Sequence, residues 1–132
     1  MNTENNKQVV QDFFDAGNRG DMERCMELMH DEVSWTDIGT TKFSGTYKGK
    51  ANIGENLLGP LMGQLKAGIY TEVDNLIAEG DFVVAQNRGT AETHDGKAYN
   101  QTYCHIFTVR EGVIVAVTEY MDTALLNEVF GE

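Results

Sequence analysis

Proline occurs once in this chain and cysteine twice, and no apolar run is longer than the five residues Val113–Val117. A run that short excludes a membrane-spanning helix. Cys25 falls in a helical pattern and Cys104 in an alternating, strand-like one. Two such residues make no disulfide framework, so a reduced, cytoplasmic setting is expected. Basic residues are also scarce: ten Lys and Arg, scattered, stand against 21 Asp and Glu, for a net charge of −11. Nucleic acid and anionic membranes are therefore not expected partners. The three histidines, His30, His94 and His105, share no ligand spacing, so no metal is expected. There is no phosphate-binding glycine loop and no GxSxG, and no cofactor is expected. The opening MNTENNKQ lacks the apolar stretch of an export signal.

What remains is a soluble chain of ordinary composition, long enough to bury roughly two-thirds of its unfolded surface. Residues 1–132 are read as one domain. Thr3 is a plausible cap for a helix over 4–17, whose apolar stripe is Val9, Val10, Phe13 and Phe14. After Gly17–Gly20, Asp21 can cap a second helix lined by Met22, Cys25, Met26 and Met29. Val33, Trp35 and Asp37 alternate as one face of a strand. Ile53, Leu57, Leu61 and Leu65 mark a third helical segment over 50–66, which Pro60 should kink or split. From Ile69 onward four long alternating runs follow, 69–79, 82–93, 97–110 and 113–122, with turns at Gly80-Asp81, Asp95-Gly96 and Glu111-Gly112. The fold class is therefore α+β. Three helices cover the concave face of a strongly curved antiparallel sheet, as in a cone closed at one end by apolar side chains.

Hairpin geometry places the polar residues. A two-residue turn at Asp95-Gly96 puts Arg88 opposite Tyr103. A three-residue loop at Glu111 pairs Val109 with Val113 and puts Tyr103 opposite Glu119. The row Arg88, Tyr103, Glu119 then crosses three strands, with Gln86, His105 and Val117 one step deeper. Arg88 and Glu119 would lie roughly 10 Å apart. Isolated charges do not persist in a dry core, so such a cluster must be paired, hydrated or facing a ligand.

Several stretches, "AGNRGDMERCMELMHDEVSWTDIG", "YKGKANI" and "YCHIFTVREGVIVAVTEYMDT", resemble the SnoaL-like branch of the nuclear transport factor 2-like superfamily. That group includes ketosteroid isomerases, polyketide cyclases and limonene epoxide hydrolase. The resemblance covers nearly the whole chain and implies the cone-shaped, cystatin-like fold. It puts Asp37 where ketosteroid isomerases keep their aspartate base and His105 where they keep a protonated aspartic acid. Phe13 stands where they keep a tyrosine, and Phe cannot donate. Arg88 matches the epoxide hydrolase arginine and Glu119 one of its aspartates, while Thr90 stands where the other belongs. Glu119 also lies near an acid/base aspartate of the cyclases.

The expected function is a pocket for a small hydrophobic ligand, with cofactor-free acid/base chemistry next to a carbonyl. Asp37 would be the base, its pKa raised by burial, and His105 the donor to a developing oxyanion. Arg88 and Glu119 would orient substrate or water. Trp35, Tyr103, Phe13, Gln86 and Met121 would bind the ligand. The alternatives are a non-catalytic binder of a small hydrophobic molecule and an epoxide-hydrolase-like hydrolase. The outer sheet face, with Thr102, Cys104, Ile106, Ile114, Ala116 and Tyr120, is expected to bury against a second copy as a two-fold homodimer.

Overall fold

The computed structural model describes residues 2–132; Met1, expected to be core filler like the other methionines, lies outside them. The chain begins with α1 (Thr3–Asn18), capped by the Asn2 side chain rather than by Thr3, since Asn2 Oδ1 accepts from the Glu4 and Asn5 amides. Gly20, at φ 76°, breaks the helix. Asp21 then caps α2 (Met22–Glu27), accepting from the Arg24 amide at 3.0 Å. Met29 no longer belongs to α2, because strand β1 (Met29–Asp37) already starts there.

After β2 (Gly45–Lys48) comes the third helical segment. It divides into α3 (Lys50–Ile53), a π turn (Gly54–Leu58) and α4 (Gly59–Met62). Pro60 lacks an amide donor, and its ring would press on the carbonyl four residues back. The wider π turn just before it relieves that clash, and the Gly59 amide reaches back to Gly54. The segment therefore splits into three pieces rather than ending at the proline.

The remaining strands are β3 (Tyr70–Glu79), β4 (Phe82–Thr90), β5 (Gln101–Arg110) and β6 (Val113–Met121). Helix α5 (Thr123–Phe130) closes the chain, capped by Asp122, whose carboxylate accepts from Ala124 and Leu125. The six strands form one sheet in the order β2-β1-β6-β5-β4-β3. All neighbours are antiparallel except β1 and β6, which run parallel. Helix α1 lies across the concave face, with Val10 and Phe14 buried against Phe107, Val83 and Val117. Phe107 is fully buried, and its truncation to Ala would cost about 3–5 kcal/mol.

Both hairpins differ from the expected register. Between β4 and β5 the turn is one residue longer than Asp95-Gly96 implies. Thr93 pairs with Lys97 through its amide, and its hydroxyl bonds Asp95 and accepts from the Lys97 amide. Arg88 consequently stands opposite Thr102, and Asn87 opposite Tyr103. A shift of one exchanges the two faces of a strand. Between β5 and β6 the turn is shorter than expected. Glu111 and Gly112, at φ 51° and 79°, form a two-residue primed turn. A bulge after Thr108 then moves the pairing further, so Tyr103 faces Met121 and His105 faces Glu119. That shift is by two, so the faces of β5 and of the far half of β6 are as expected. The near half is not: Ile114, expected on the outer face, is fully buried in the core.

Candidate functional site

Three strands bring Asp37, Glu119 and His105 into one row, because Asp37 pairs with Glu119 across β1 and β6, and Glu119 with His105 across β6 and β5. One layer deeper the same strands carry Trp35, Val117 and Phe107. The row thus lies at the boundary between an apolar core and the open part of the cone. A cavity of about 540 Å³ begins there. Its floor and polar end include Trp35, His105, Glu119, Asn87 and Tyr103, and its walls come from α1, α2 and the π turn. Phe13 and Phe14 reach in from α1, and Phe14 stands edge-on to the His105 ring at 5.6 Å. Trp35 and Tyr103 flank the same imidazole at 6.0 and 5.1 Å.

The polar groups are chained. Asn87 Nδ2 donates to the Ala85 carbonyl at 3.1 Å and lies 2.9 Å from His105 Nδ1. Turning the Asn87 amide over would set its oxygen against the Ala85 oxygen, so the Nδ2 atom is the one facing His105. His105 Nδ1 therefore accepts, and His105 Nε2–H donates to Glu119 Oε2 at 2.7 Å. Burial holds the imidazole neutral, with its pKa lowered to about 4. On its other side Glu119 stands next to Asp37 across β6 and β1, and Asp37 accepts from Trp35 Nε1 at 3.0 Å. Burial first, and then the Glu119 charge, pushes the Asp37 carboxyl up to about 9. Burial also raises Glu119, against the neighbouring Asp37 carboxyl and Trp35 indole, which favour its anion. Both buried carboxyls are thus pushed toward the protonated form, each charge opposing the other.

Of the residues expected at the site, Asp37, His105, Glu119, Trp35, Tyr103 and Phe13 gather here. Asp37 lies behind the cavity surface, and Glu119 is the carboxyl that borders it. Arg88 and Gln86 are elsewhere, because the longer β4–β5 turn puts them on the outer face. There Arg88 Nη2 and Nε bond Asp74 at 2.9 and 3.0 Å, and Gln86 accepts from Asn75. Met121 also stands away from the cavity, in a groove beside Tyr120 and Cys104. Asn87 was missed for the same register reason. Tyr99 and Gln101, both buried, were missed because Tyr99 sits in the linker just before β5 and Gln101 opens that strand, where the sequence reads as one continuous run. Among the described residues, no group of three His, Cys, Asp or Glu is placed to hold a metal ion, and no helix is long and apolar enough to cross a membrane.

Comparison with known proteins agrees with this architecture. The SnoaL-like domain model matches residues 10–117, and the chain belongs to that family. Bal32a, from a soil-derived mobile gene cassette, is 26% identical over 96% of each chain, with a TM-score of 0.85. An NTF2-like protein from Burkholderia thailandensis is 26% identical over 97% of each chain, at a TM-score of 0.83. A putative SnoaL-like polyketide cyclase from Jannaschia sp. CCS1 shares 19% identity over 98% of this chain and 93% of its own, at 0.81. No curated protein matches the sequence.

Proposed function

We propose that this SnoaL-like protein is a cofactor-free isomerase- or cyclase-type enzyme that moves a proton on a small hydrophobic carbonyl compound. The observation that carries this reading is the Asp37–Glu119 pair, set side by side across β1 and β6, with Glu119 accepting from His105 Nε2–H at 2.7 Å at the polar end of an otherwise apolar cavity. Such a pair holds an anion and a proton side by side near neutral pH. Glu119, which borders the cavity, is the base in this reading, and Asp37 is the proton-bearing partner behind it. The Glu119 carboxylate takes a proton from carbon beside the carbonyl. The electron pair moves onto the carbonyl oxygen, and the Tyr103 hydroxyl donates to it. Return of the proton to another carbon completes an isomerisation; attack of the enolate carbon on a second carbonyl completes a cyclisation. His105 keeps Glu119 oriented through its Nε2–H rather than meeting the oxyanion itself.

The hydrolase alternative loses support, because Arg88 lies on the outer face, bonded to Asp74. The untitrated alternative, a binder without chemistry, is separated by proton exchange. In deuterated buffer, a panel of cyclic ketones and 1,3-diketones followed by NMR is expected to show protein-dependent exchange beside the carbonyl, lost in Glu119→Gln. Binding without exchange across the panel would leave a binder. A cytoplasmic setting and a homodimer through the outer face belong to the same proposal. Free Cys25 and Cys104 support the first. The second is supported by partly or well exposed Ile77, Phe82, Ile106 and Tyr120 on that face.

A further inference from the structure

Gly89 is a glycine inside a strand whose backbone does not require one. It lies in β4, paired with Thr71 on one side and Gln101 on the other, and it is buried. Its φ is not among the left-handed values that glycine supplies elsewhere in the chain, as at Gly68 and Gly80. A strand glycine without that need gives up packing and backbone entropy, and it commonly marks a place where another group comes very close. Two groups do so here. A Cβ at position 89 would stand 2.7 Å from Ile69 Cγ2 and 3.0 Å from Tyr103 Cε2. Non-bonded carbons settle at about 3.5–4.0 Å, so both neighbours would have to move. Both line the cavity, Ile69 in its wall beside Ala67 and Gly68, and Tyr103 at its polar end, with its ring 5.1 Å from that of His105. Tyr103 stands opposite Asn87, so its ring reaches one step along the inner face to lay its Cδ2–Cε2 edge against the bare backbone of Gly89.

We infer that Gly89 is the positioning residue for Tyr103. The inference rests on the reading above, in which the Tyr103 hydroxyl donates to the carbonyl oxygen of the substrate. Gly89 touches no substrate and acts through the tyrosine. Its missing side chain leaves a slot in β4 that the Tyr103 ring and Ile69 fill from two sides, and this fixes where the hydroxyl stands. A donor held in place before the reaction needs no rearrangement as charge develops on the oxygen. Even a methyl group at position 89 displaces the ring and Ile69 together, and so moves the donor while leaving Glu119 and His105 in their row.

The test has two arms. In the first, the protein is labelled with 3-fluorotyrosine and followed by fluorine NMR without any substrate, the Tyr103 signal being identified by its loss in Tyr103→Phe. That signal is expected to move in Gly89→Ala and to stay in place in Arg88→Ala, whose side chain lies on the outer face. A Tyr103 signal unmoved in Gly89→Ala, or moved as far in Arg88→Ala, overturns the inference. In the second arm, proton exchange on the ketone and 1,3-diketone panel is measured in a double-mutant cycle. Gly89→Ala is expected to slow exchange about tenfold or more when Tyr103 is present, and to change it little in the Tyr103→Phe background. Equal losses in the two backgrounds would make Gly89 merely structural and overturn the inference. Exchange that Tyr103→Phe does not slow overturns it too, while leaving Glu119 as the base. Should Gly89→Ala fail to fold, Ile69→Ala takes its place. It empties the other side of the slot, and it is expected to move the same signal and to slow exchange by a smaller factor, again only where Tyr103 is present; an unmoved signal there overturns the inference. No exchange with any compound in the wild-type protein removes the enzyme reading, and the fluorine signal then decides the positioning of Tyr103 by itself.

Discussion

The two faces of one sheet carry the same kinds of residue and put them to opposite use. On the outside, Arg88 bonds Asp74 and lies near Glu72, with all three more than 40% exposed. The guanidinium lowers the Asp74 carboxyl, and each group keeps its ordinary charge. On the inside, Asp37, Glu119 and His105 lie within a few residues' reach of apolar side chains. There the carboxyls rise and the imidazole falls. Solvent makes the difference, since water screens the outer pairs and leaves them little coupled to folding. Inside, each charge depends on its neighbours, which is the condition for acid/base chemistry.

The sharpest way to break this contrast is by activity. Glu119→Gln is expected to remove turnover of whichever carbonyl compound shows exchange, by on the order of 10²-fold or more. His105→Ala should do nearly as much, by freeing Glu119 from its orienting bond, whereas Arg88→Ala should leave turnover unchanged. An equal loss in Arg88→Ala would mean that the outer face takes part in the site.

Next in size is the pH dependence of stability. The folded Asp37 binds its proton up to about pH 9, whereas the unfolded side chain releases it near 3.8. Its contribution is present at low pH and is lost as pH rises through that range. His105 has the opposite sign: its folded pKa, about 4, lies below 6.5, so its contribution is lost as pH falls from 6.5 toward 4. The two slopes oppose each other below 6.5. Between pH 6.5 and 9 the His105 slope is gone and the Asp37 slope, at most about 1.4 kcal/mol per pH unit, lowers stability, with the raised Glu119 acting in the same direction. Urea midpoints should therefore fall from pH 6.5 to 9 in the wild type and fall less in Asp37→Asn. A flat wild-type profile would show that Asp37 does not hold its proton there.

The outer face is tested by assembly. Light scattering at micromolar concentration is expected to give a dimer, and Ile106→Asp a monomer. A wild-type monomer would leave that face solvated. The smallest effect should come from Arg88→Ala, whose thermal midpoint is expected to match the wild type, as suits a surface ion pair.

The same contrast explains what the sequence revealed. Alternation of Trp35 with Asp37 and of His105 with Phe107 fixed their faces, because each strand joins one polar residue to bulky apolar neighbours on the same side. Strand β4 offered no such guide. Phe82 and Val84 look as core-like as Val83 and Ala85, so only the turn decided, and Thr93 lengthened it by a hydroxyl bond that no turn pattern encodes. In β6 the bulge cost nothing at Glu119, since a shift of two preserves faces, but it turned Ile114 inward. The helix stripes were legible. The π turn was not, although Pro60 with Gly59 before it marked where the backbone had to give.

The parallel pairing of β1 with β6 also has a kinetic side. His105 and Glu119 meet across a hairpin closed by a two-residue turn, a local contact that forms at little entropic cost. Asp37 arrives from nearly the other end of the chain, and its pairing with Glu119 requires the slowest kind of closure the topology contains. Half of the carboxyl pair is thus assembled early and the other half late. Trp35, the only tryptophan, travels with Asp37 and bonds to it. Its fluorescence during refolding therefore times the moment at which β1 docks and the carboxyl pair comes into being.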